Sequence, residues 1–184
     1  MTKPRHSCPR TRRLMAWAAA VVGLLAARGQ AAEPLPTVPH VDLGRYAGKW
    51  HEVARLPNFF QRKCERSQAC YSARGDGSLT IVNTCHTCRG ADKRIEGRAE
   101  PVPGSGNARL RVRFSGLAAL APVPRDGNYW IIALDDDYQW AMVGTPDRKF
   151  LWILAREPQL PPDISCMLTD RARCLGFDVS QLVR

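Results

Sequence analysis

The feature that most constrains this chain is a series of short, evenly spaced segments in which apolar and polar residues alternate. The clearest covers residues 108–114, where Arg109, Arg111 and Arg113 alternate with apolar residues, so that a strand there has one apolar face and one charged face. Turn residues separate the segments, and the glycines of 74–78 supply the positive φ that a tight hairpin needs. This spacing is typical of an antiparallel sandwich or an up-and-down barrel.

Eight strands are predicted from these segments. They span 49–56, 68–74, 78–85, 94–100, 108–114, 128–135, 139–145 and 150–156, with no helix between them. After Pro161 the apolar period becomes helical, and Gly176 is a natural stop. The apolar residues of this helix are Ile164, Leu168, Ala172 and Leu175. One helix after eight strands is expected to pack on the outside of the sheet.

The N-terminal segment has the three-part pattern of a secretory signal peptide. Residues 1–13 are basic, 14–27 are apolar and uncharged, and small residues precede a cleavage position before Ala32. An uncleaved membrane anchor is the alternative, although the apolar stretch is shorter than the roughly 20 residues of a spanning helix. We expect a signal peptide at 1–31, an extended lead-in at 32–40 and a single domain at 41–184. A lipoprotein needs a cysteine directly after the apolar stretch, whereas Cys8 lies before it and the next cysteine is Cys64, so no lipoprotein anchor is expected.

The charge distribution argues against a nucleic-acid partner. The net charge of the whole chain is +10, but residues 1–31 hold six basic residues and no acidic one. The remainder has 21 basic and 17 acidic residues, a net charge of +4. A basic footprint for nucleic acid is therefore lacking in the mature part of the chain.

Three ordered motifs give the chain a family resemblance. Gly48 and Trp50 open the first predicted strand, residues 135–138 lie between the sixth and seventh strands, and Arg156 ends the eighth. This arrangement resembles the lipocalin family, over about residues 40–180. The most similar branch includes apolipoprotein D, plant temperature-induced lipocalins and bacterial outer-membrane lipocalins. The resemblance implies an all-β, eight-stranded antiparallel up-and-down barrel, or calyx, with one C-terminal α-helix packed outside.

In such a barrel, the motif residues are expected at the closed end, where they stabilise the fold, and the ligand is expected to enter at the open end. Closure makes the first and eighth strands neighbours, so Arg156 is expected to cover the indole of Trp50 in a cation–π contact at the closed end. The motif residues with this structural role are Gly48, Trp50, Asp135, Tyr138 and Arg156. The loops at 57–67, 86–93, 115–127 and 146–149 then form the open end, where a ligand would enter.

Alternation also predicts which side chains point into the barrel. If Trp50 faces inward, so do Glu52, Ala54 and Leu56 on the same strand. The predicted ligand-binding residues are Tyr71, Leu110, Val112, Phe114, Trp152 and Leu154, with Phe59 and Phe60 at the mouth. The resemblance supports Tyr71, Trp152 and Leu154 as residues that line the pocket. A cavity this apolar fits a fatty acid or a lysophospholipid, and the alternative is a barrel that side chains fill completely.

Two polar or exposed features have more than one interpretation. Glu52 is either a structural carboxylate with a basic or hydroxyl partner, or a polar contact for a ligand head group. Phe59, Phe60 and the apolar run 117–123 lie in loops at the open end, with Arg62, Lys63, Arg66 and Arg125 around them. They form either a lid over the ligand or a tip that contacts an anionic membrane.

The cysteines are expected to form disulfides, since an exported chain meets an oxidising compartment. Cys85 and Cys88 form a Cys-x-x-Cys pair, but neither a thioredoxin-like helix nor a second zinc-binding pair accompanies it. Cys64 lies in the first mouth loop, near the mouth end of the third strand, so we predict a Cys64–Cys85 bond with Cys64–Cys88 as the alternative. Cys166 and Cys174 lie too far apart on one helix to bond each other.

No catalytic constellation is evident, and no metal or cofactor is expected. The histidines are scattered, and the chain has no nucleophile elbow, phosphate loop or zinc-protease motif. We therefore expect a non-enzymatic protein that binds, stores or carries a fatty acid or lysophospholipid in the periplasm of a bacterial envelope, either free or at the periphery of the outer membrane. The alternatives are a lipocalin enzyme with a cavity cysteine or carboxylate, and a structural envelope protein without a ligand.

Overall fold

The strands form a closed antiparallel barrel. The computed structural model describes residues 33–88, 90, 92–120 and 122–184, so the predicted signal segment lies outside the described residues. Each strand pairs with the next in sequence, and the last pairs with the first. In order they are β1 (Gly48–Arg55), β2 (Arg66–Ala73), β3 (Leu79–His86), β4 (Lys93–Pro101), β5 (Arg109–Phe114), β6 (Tyr129–Leu134), β7 (Trp140–Gly144) and β8 (Leu151–Ala155). The predicted fold class is confirmed.

Two short helical segments accompany the strands, one before the predicted all-strand stretch and one within it. Helix α1 (Leu43–Tyr46) precedes β1, and a 3₁₀ segment, Gly116–Leu120, follows β5. The carboxylate of Asp42 caps α1 by accepting hydrogen bonds from the backbone amides of Gly44 and Arg45. A single turn is too short to show a helical period, so alternation cannot reveal it. A third short segment, Val179–Gln181, is a 3₁₀ helix near the C-terminus.

Helix α2 (Pro162–Cys174) packs on the outside of the barrel, as predicted. Its Leu168 and Ala172 are completely buried. They belong to an apolar cluster with outward-facing residues of β1, β6, β7 and β8, among them Ala54, Ile132, Met142 and Ile153. The helix therefore covers one side of the barrel. No helix within the described part of the chain has both the length and the hydropathy of a membrane span.

A β-bulge in β1 corrects one part of the predicted inward face. Glu52 pairs with Leu154, but Ala54 pairs with the next residue along β8, Ile153, so β1 contains one extra residue. Trp50 and Glu52 lie on the inner side, whereas Ala54 and Leu56 belong to the cluster under α2. The prediction that Ala54 and Leu56 face the cavity is therefore wrong, because the extra residue exchanges the two faces of the strand.

Candidate ligand-binding site

The closed end of the barrel is sealed around Trp50. The guanidinium carbon of Arg156 lies 3.8 Å from the centroid of the indole ring, and Trp50 is fully buried. Arg156 also donates hydrogen bonds to the backbone carbonyls of Lys49, Arg45 and Tyr138 at 3.0, 2.7 and 3.1 Å. This arginine ties three chain segments together, which is a structural role rather than a ligand contact.

The remaining motif residues hold the turns beside this seal. Gly48 has a φ of +101°, and a Cβ there would lie 3.0 Å from the Arg156 guanidinium, so the position requires glycine. The Asp135 carboxylate accepts hydrogen bonds from the backbone amides of Asp137 and Gln139. The hydroxyl of Tyr138 accepts a hydrogen bond from the backbone amide of Asp42.

Three tyrosines form the calyx floor above this seal. The ring of Tyr46 packs 5.1 Å from that of Trp50 and 5.4 Å from that of Tyr71. The hydroxyl of Tyr129 is 2.7 Å from that of Tyr46 and 2.9 Å from that of Tyr71. Burial raises the pKa of Tyr71 to about 12 and raises the pKa values of Tyr46 and Tyr129 well above the usual range. All three are therefore neutral phenols at physiological pH.

The walls are apolar, and they contain the predicted interior residues. Leu110, Val112 and Leu154 are buried in one interior cluster, and Phe114 and Trp152 pack against it while half-buried. Tyr71 belongs to the same cluster, so the structure brings these six predicted positions together. Phe59 and Phe60 lie apart from them in the loop after β1.

A polar cluster spans the calyx between the floor and the mouth. Gln61 is its centre: its amide nitrogen donates to Glu52 at 2.6 Å, and its amide oxygen accepts from Asn58 at 2.6 Å and from the Trp152 indole at 3.1 Å. The amide nitrogen also lies 3.1 Å from the hydroxyl of Ser67. These contacts saturate the amide, so Gln61 holds the loop 57–65 against the neighbouring strands β8, β1 and β2 as a latch.

Glu52 has the partner that its structural interpretation requires. Arg55 contacts its carboxylate at 2.8 Å, with only 7% of the Glu52 side chain and 13% of the Arg55 side chain exposed. Burial raises the pKa of Glu52, while the Gln61 hydrogen bond and the Arg55 charge oppose that rise. Arg55 further donates to the backbone carbonyl of Cys64 at 3.1 Å. Sequence reasoning missed Arg55 and Gln61, since neither carries a motif.

Aromatic side chains connect the mouth with the interior. The ring of Phe60 lies 5.8 Å from that of Phe150, which stacks 5.9 Å from Trp152. Phe59 is 73% exposed, Phe60 54% and Leu120, in the opposite loop, 82%. Large apolar side chains with this exposure form a patch at the open end of the calyx.

A disulfide fixes the latch loop to the barrel. Cys64 and Cys85 are bonded, which confirms the predicted pairing over the alternative with Cys88. The backbone amide of Glu65 also donates to the carbonyl of His86 at 2.9 Å. Free thiols in the described ranges belong to Cys70, Cys88, Cys166 and Cys174, all exposed. Between residues 33 and 184, the described side chains include no cluster of three or more potential metal ligands.

Comparison with known proteins agrees with this architecture. The family model of the lipocalin-like domain matches residues 41–184. The chain belongs to the lipocalin family. It is 37% identical over 147 residues to the outer membrane lipoprotein Blc of Escherichia coli, covering 79% of each chain. It is 35% identical over 150 residues to temperature-induced lipocalin-1 of Arabidopsis thaliana, covering 80% of each.

The fold of this lipocalin also matches solved structures. Insecticyanin from the tobacco hornworm superimposes with a TM-score of 0.59 at 20% identity, covering 81% of this chain and 82% of the other. That likeness supports the fold alone. Family membership places the lipocalin among proteins that bind small hydrophobic ligands and not among enzymes.

Proposed function

We propose that this lipocalin binds a fatty acid or a lysophospholipid in its calyx and stores or carries it in a bacterial envelope. The observation that carries the proposal is the aromatic path from Phe60 through Phe150 to Trp152, which leads into an apolar interior. An acyl chain matches that lining, because the burial of each methylene group favours binding by about 0.8 kcal/mol. The predicted signal peptide and the similarity to an outer membrane lipoprotein support the envelope as its location.

The charges at the mouth favour one orientation of such a ligand. Arg62 and Lys63 are exposed in the latch loop, which also carries Phe59 and Phe60. A carboxylate or phosphate at the rim stays solvated and close to these cations, while the hydrocarbon occupies the interior. An anionic head group in the calyx would instead meet the buried Glu52 carboxylate.

Trp152 provides the test, because its indole lies on the proposed path. Titration with palmitic acid or with lysophosphatidylcholine is expected to change its emission saturably. Trp152→Phe should remove most of the signal, and Trp140→Phe, in the cluster under α2, is the matched control that should retain it. A signal that survives in Trp152→Phe and disappears in Trp140→Phe would place the ligand outside the calyx.

We further propose that the mouth contacts an anionic membrane, from which the ligand enters. Phe60 and Leu120 supply the apolar contact, and each nearby cation adds about 1 kcal/mol at an anionic surface. Vesicles containing phosphatidylglycerol are expected to co-sediment the protein at low salt but not the Phe60→Ser/Leu120→Ser variant. The control is Met167→Ser/Val183→Ser, which removes two exposed apolar side chains elsewhere. If the wild-type protein stays in the supernatant, the two mouth loops act only as a lid.

A further inference from the structure

The hydroxyl cluster at the calyx floor contains one more hydrogen-bond donor than the surrounding protein uses. Tyr46, Tyr71 and Tyr129 bring three O–H donors, and they make two contacts, both through Tyr129. Whichever way these two bonds point, one O–H has no acceptor among the residues that the structure describes. A buried donor without an acceptor costs about 1–3 kcal/mol, so such a position favours a ligand that supplies one.

An amide on the neighbouring strand is also unsatisfied. Asn83 lies on the same face of β3 as Leu79 and Ile81, which are buried in the interior cluster. Its side-chain oxygen is buried and has no partner in the described part of the chain. Ile81 pairs with Tyr71, so Asn83 is two residues, or about 7 Å, closer to the mouth than Tyr71.

The position of these groups makes them available to a ligand from the mouth. Tyr46 and Tyr71 are buried at the floor, and Tyr129, whose hydroxyl joins theirs, is half-buried as a residue. Trp152 and Phe114, on the walls between the floor and the mouth, are also half-buried. A hydrocarbon chain that follows the walls therefore ends at, or passes, the tyrosine hydroxyls.

The negative charge inside the calyx determines which kind of hydrogen-bond acceptor a ligand can bring to the floor. Glu52 is a buried carboxylate in the same interior, and its charge acts on Tyr71. A second carboxylate or a phosphate at the floor would be repelled by it and would lose its own hydration. A neutral oxygen is not repelled by Glu52 and loses little hydration free energy on burial. A tyrosine phenol that stays protonated can donate a hydrogen bond to it.

We propose that the three tyrosines form a hydrogen-bonding subsite for an uncharged oxygen, a keto carbonyl or hydroxyl carried along the hydrocarbon chain of the ligand. The side-chain oxygen of Asn83 can only accept a hydrogen bond, so it adds a contact for a hydroxyl and not for a carbonyl. This inference rests on the proposed function, since the chain must occupy the calyx for its oxygen to reach the floor. The subsite makes the protein selective for oxygenated acyl chains over plain ones. It takes no part in holding the anionic head group, which stays at the rim.

The test compares stearic acid with a series of keto-stearic acids whose carbonyl moves along the chain. One isomer is expected to bind wild-type protein about fivefold more tightly than stearic acid, which corresponds to about 1 kcal/mol for one hydrogen bond. In the Tyr46→Phe/Tyr71→Phe/Tyr129→Phe variant, the ratio of the Kd for stearic acid to the Kd for the best keto isomer should fall to about one, whatever the absolute affinity for stearic acid. Tyr138→Phe, which removes a tyrosine hydroxyl bonded to Asp42 outside the floor, should keep the preference for that isomer.

The outcomes separate this inference from the proposed function. If stearic acid binds and no keto isomer binds more tightly, the subsite is rejected and the acyl-chain site stands. If neither stearic acid nor any keto isomer binds, both the subsite and the proposed acyl-chain site are rejected. A carbon-13-labelled carbonyl gives a second measurement that needs no variant: its infrared stretch should shift to lower frequency in the complex with wild-type protein. An unshifted band overturns the subsite.

Discussion

Glu52 and Arg55 form an ion pair inside the barrel although they are three residues apart on one strand. In a regular strand such residues face opposite sides of the sheet. The extra residue in β1 puts both on the inner face, where the carboxylate and the guanidinium lie 2.8 Å apart. The bulge therefore creates the polar layer to which Gln61 attaches the latch loop.

The raised pKa of Glu52 predicts a decrease in stability as the pH rises from acid toward neutral. Above 4.5, the ordinary pKa, the unfolded chain has released its proton while the folded protein still holds it, so the free energy of unfolding falls. Urea denaturation across this range should show a steeper fall for wild type than for Glu52→Gln. Arg55 and Gln61, which face the carboxylate, are the same in both proteins.

Asp76→Asn is the control, because the pKa of Asp76 is shifted in the direction opposite to that of Glu52. Hydrogen bonds from Ser78 lower the pKa of Asp76 from 3.8 to about 2, so its contribution is present above 3.8 and is lost as the pH falls toward 2. This variant should change the pH dependence only at the acid end. Identical slopes for wild type and Glu52→Gln would show that Glu52 titrates normally.

Replacement of the latch residue is expected to open the calyx. Gln61→Ala removes the amide contacts to one carboxylate oxygen of Glu52 and to the Trp152 indole N–H, while Arg55 stays bonded to the other oxygen of Glu52, and the loss should lower the free energy of unfolding by about 1–3 kcal/mol. Stopped-flow measurement of Trp152 emission should show faster ligand association and dissociation. Lys63→Ala, an exposed change in the same loop, is the control. Unchanged rates in Gln61→Ala would mean that the loop does not limit access.

Loss of the disulfide should destabilise the barrel without changing its topology. The bond closes a sequence separation of 21 residues, for which the chain-entropy model gives about 3 kcal/mol. Cys64→Ser/Cys85→Ser should lower the free energy of unfolding by this amount, whereas Cys88→Ser, at an exposed free thiol, should leave it unchanged. Non-reducing peptide mapping identifies the partner directly, and a Cys64–Cys88 peptide would contradict the structure.

The tyrosine cluster predicts that the single substitution Tyr129→Phe destabilises the protein more than replacement of all three tyrosines does. Tyr129→Phe leaves the buried hydroxyls of Tyr46 and Tyr71 without partners, which should lower the free energy of unfolding by about 1–3 kcal/mol. Replacing all three tyrosines by phenylalanine removes every polar atom of the cluster and should be close to neutral. Thermal and urea denaturation give the comparison. A triple variant less stable than Tyr129→Phe would show that the hydroxyls stabilise the fold as a unit.

The sequence predicts the parts of this protein that repeat or carry a motif. Strict alternation identifies Leu110 and Val112 as inward-facing, and the ordered motifs place Arg156 over Trp50. The pairing of Cys64 with Cys85 follows once the barrel order places the first mouth loop beside the third strand. Each of these positions depends on a pattern that is regular along the chain.

The site residues that the sequence did not reveal owe their positions to a local irregularity in a strand or to partners far away in the chain. Val53 and Ala54 are both apolar and compatible with either face, so the bulge between Glu52 and Ala54 has no signal in the alternation. The alternation therefore gives no reason to expect Arg55 on the inner face beside Glu52. Gln61 acquires its role only when the chain folds back over the barrel. Tyr46 and Tyr129 come from α1 and β6, 83 residues apart, and only the closed barrel joins their hydroxyls.

The bulge also determines which changes of chain length this protein tolerates. Because the same strand lines the calyx at Trp50 and Glu52 and supports α2 at Ala54 and Leu56, a deletion at Val53 would turn the second pair inward and expose Arg55 on the helix side. An apolar residue of suitable size satisfies position 53, which packs against the cluster under α2, whereas a deletion there does not. For this strand, the number of residues matters more than which apolar residue is the extra one.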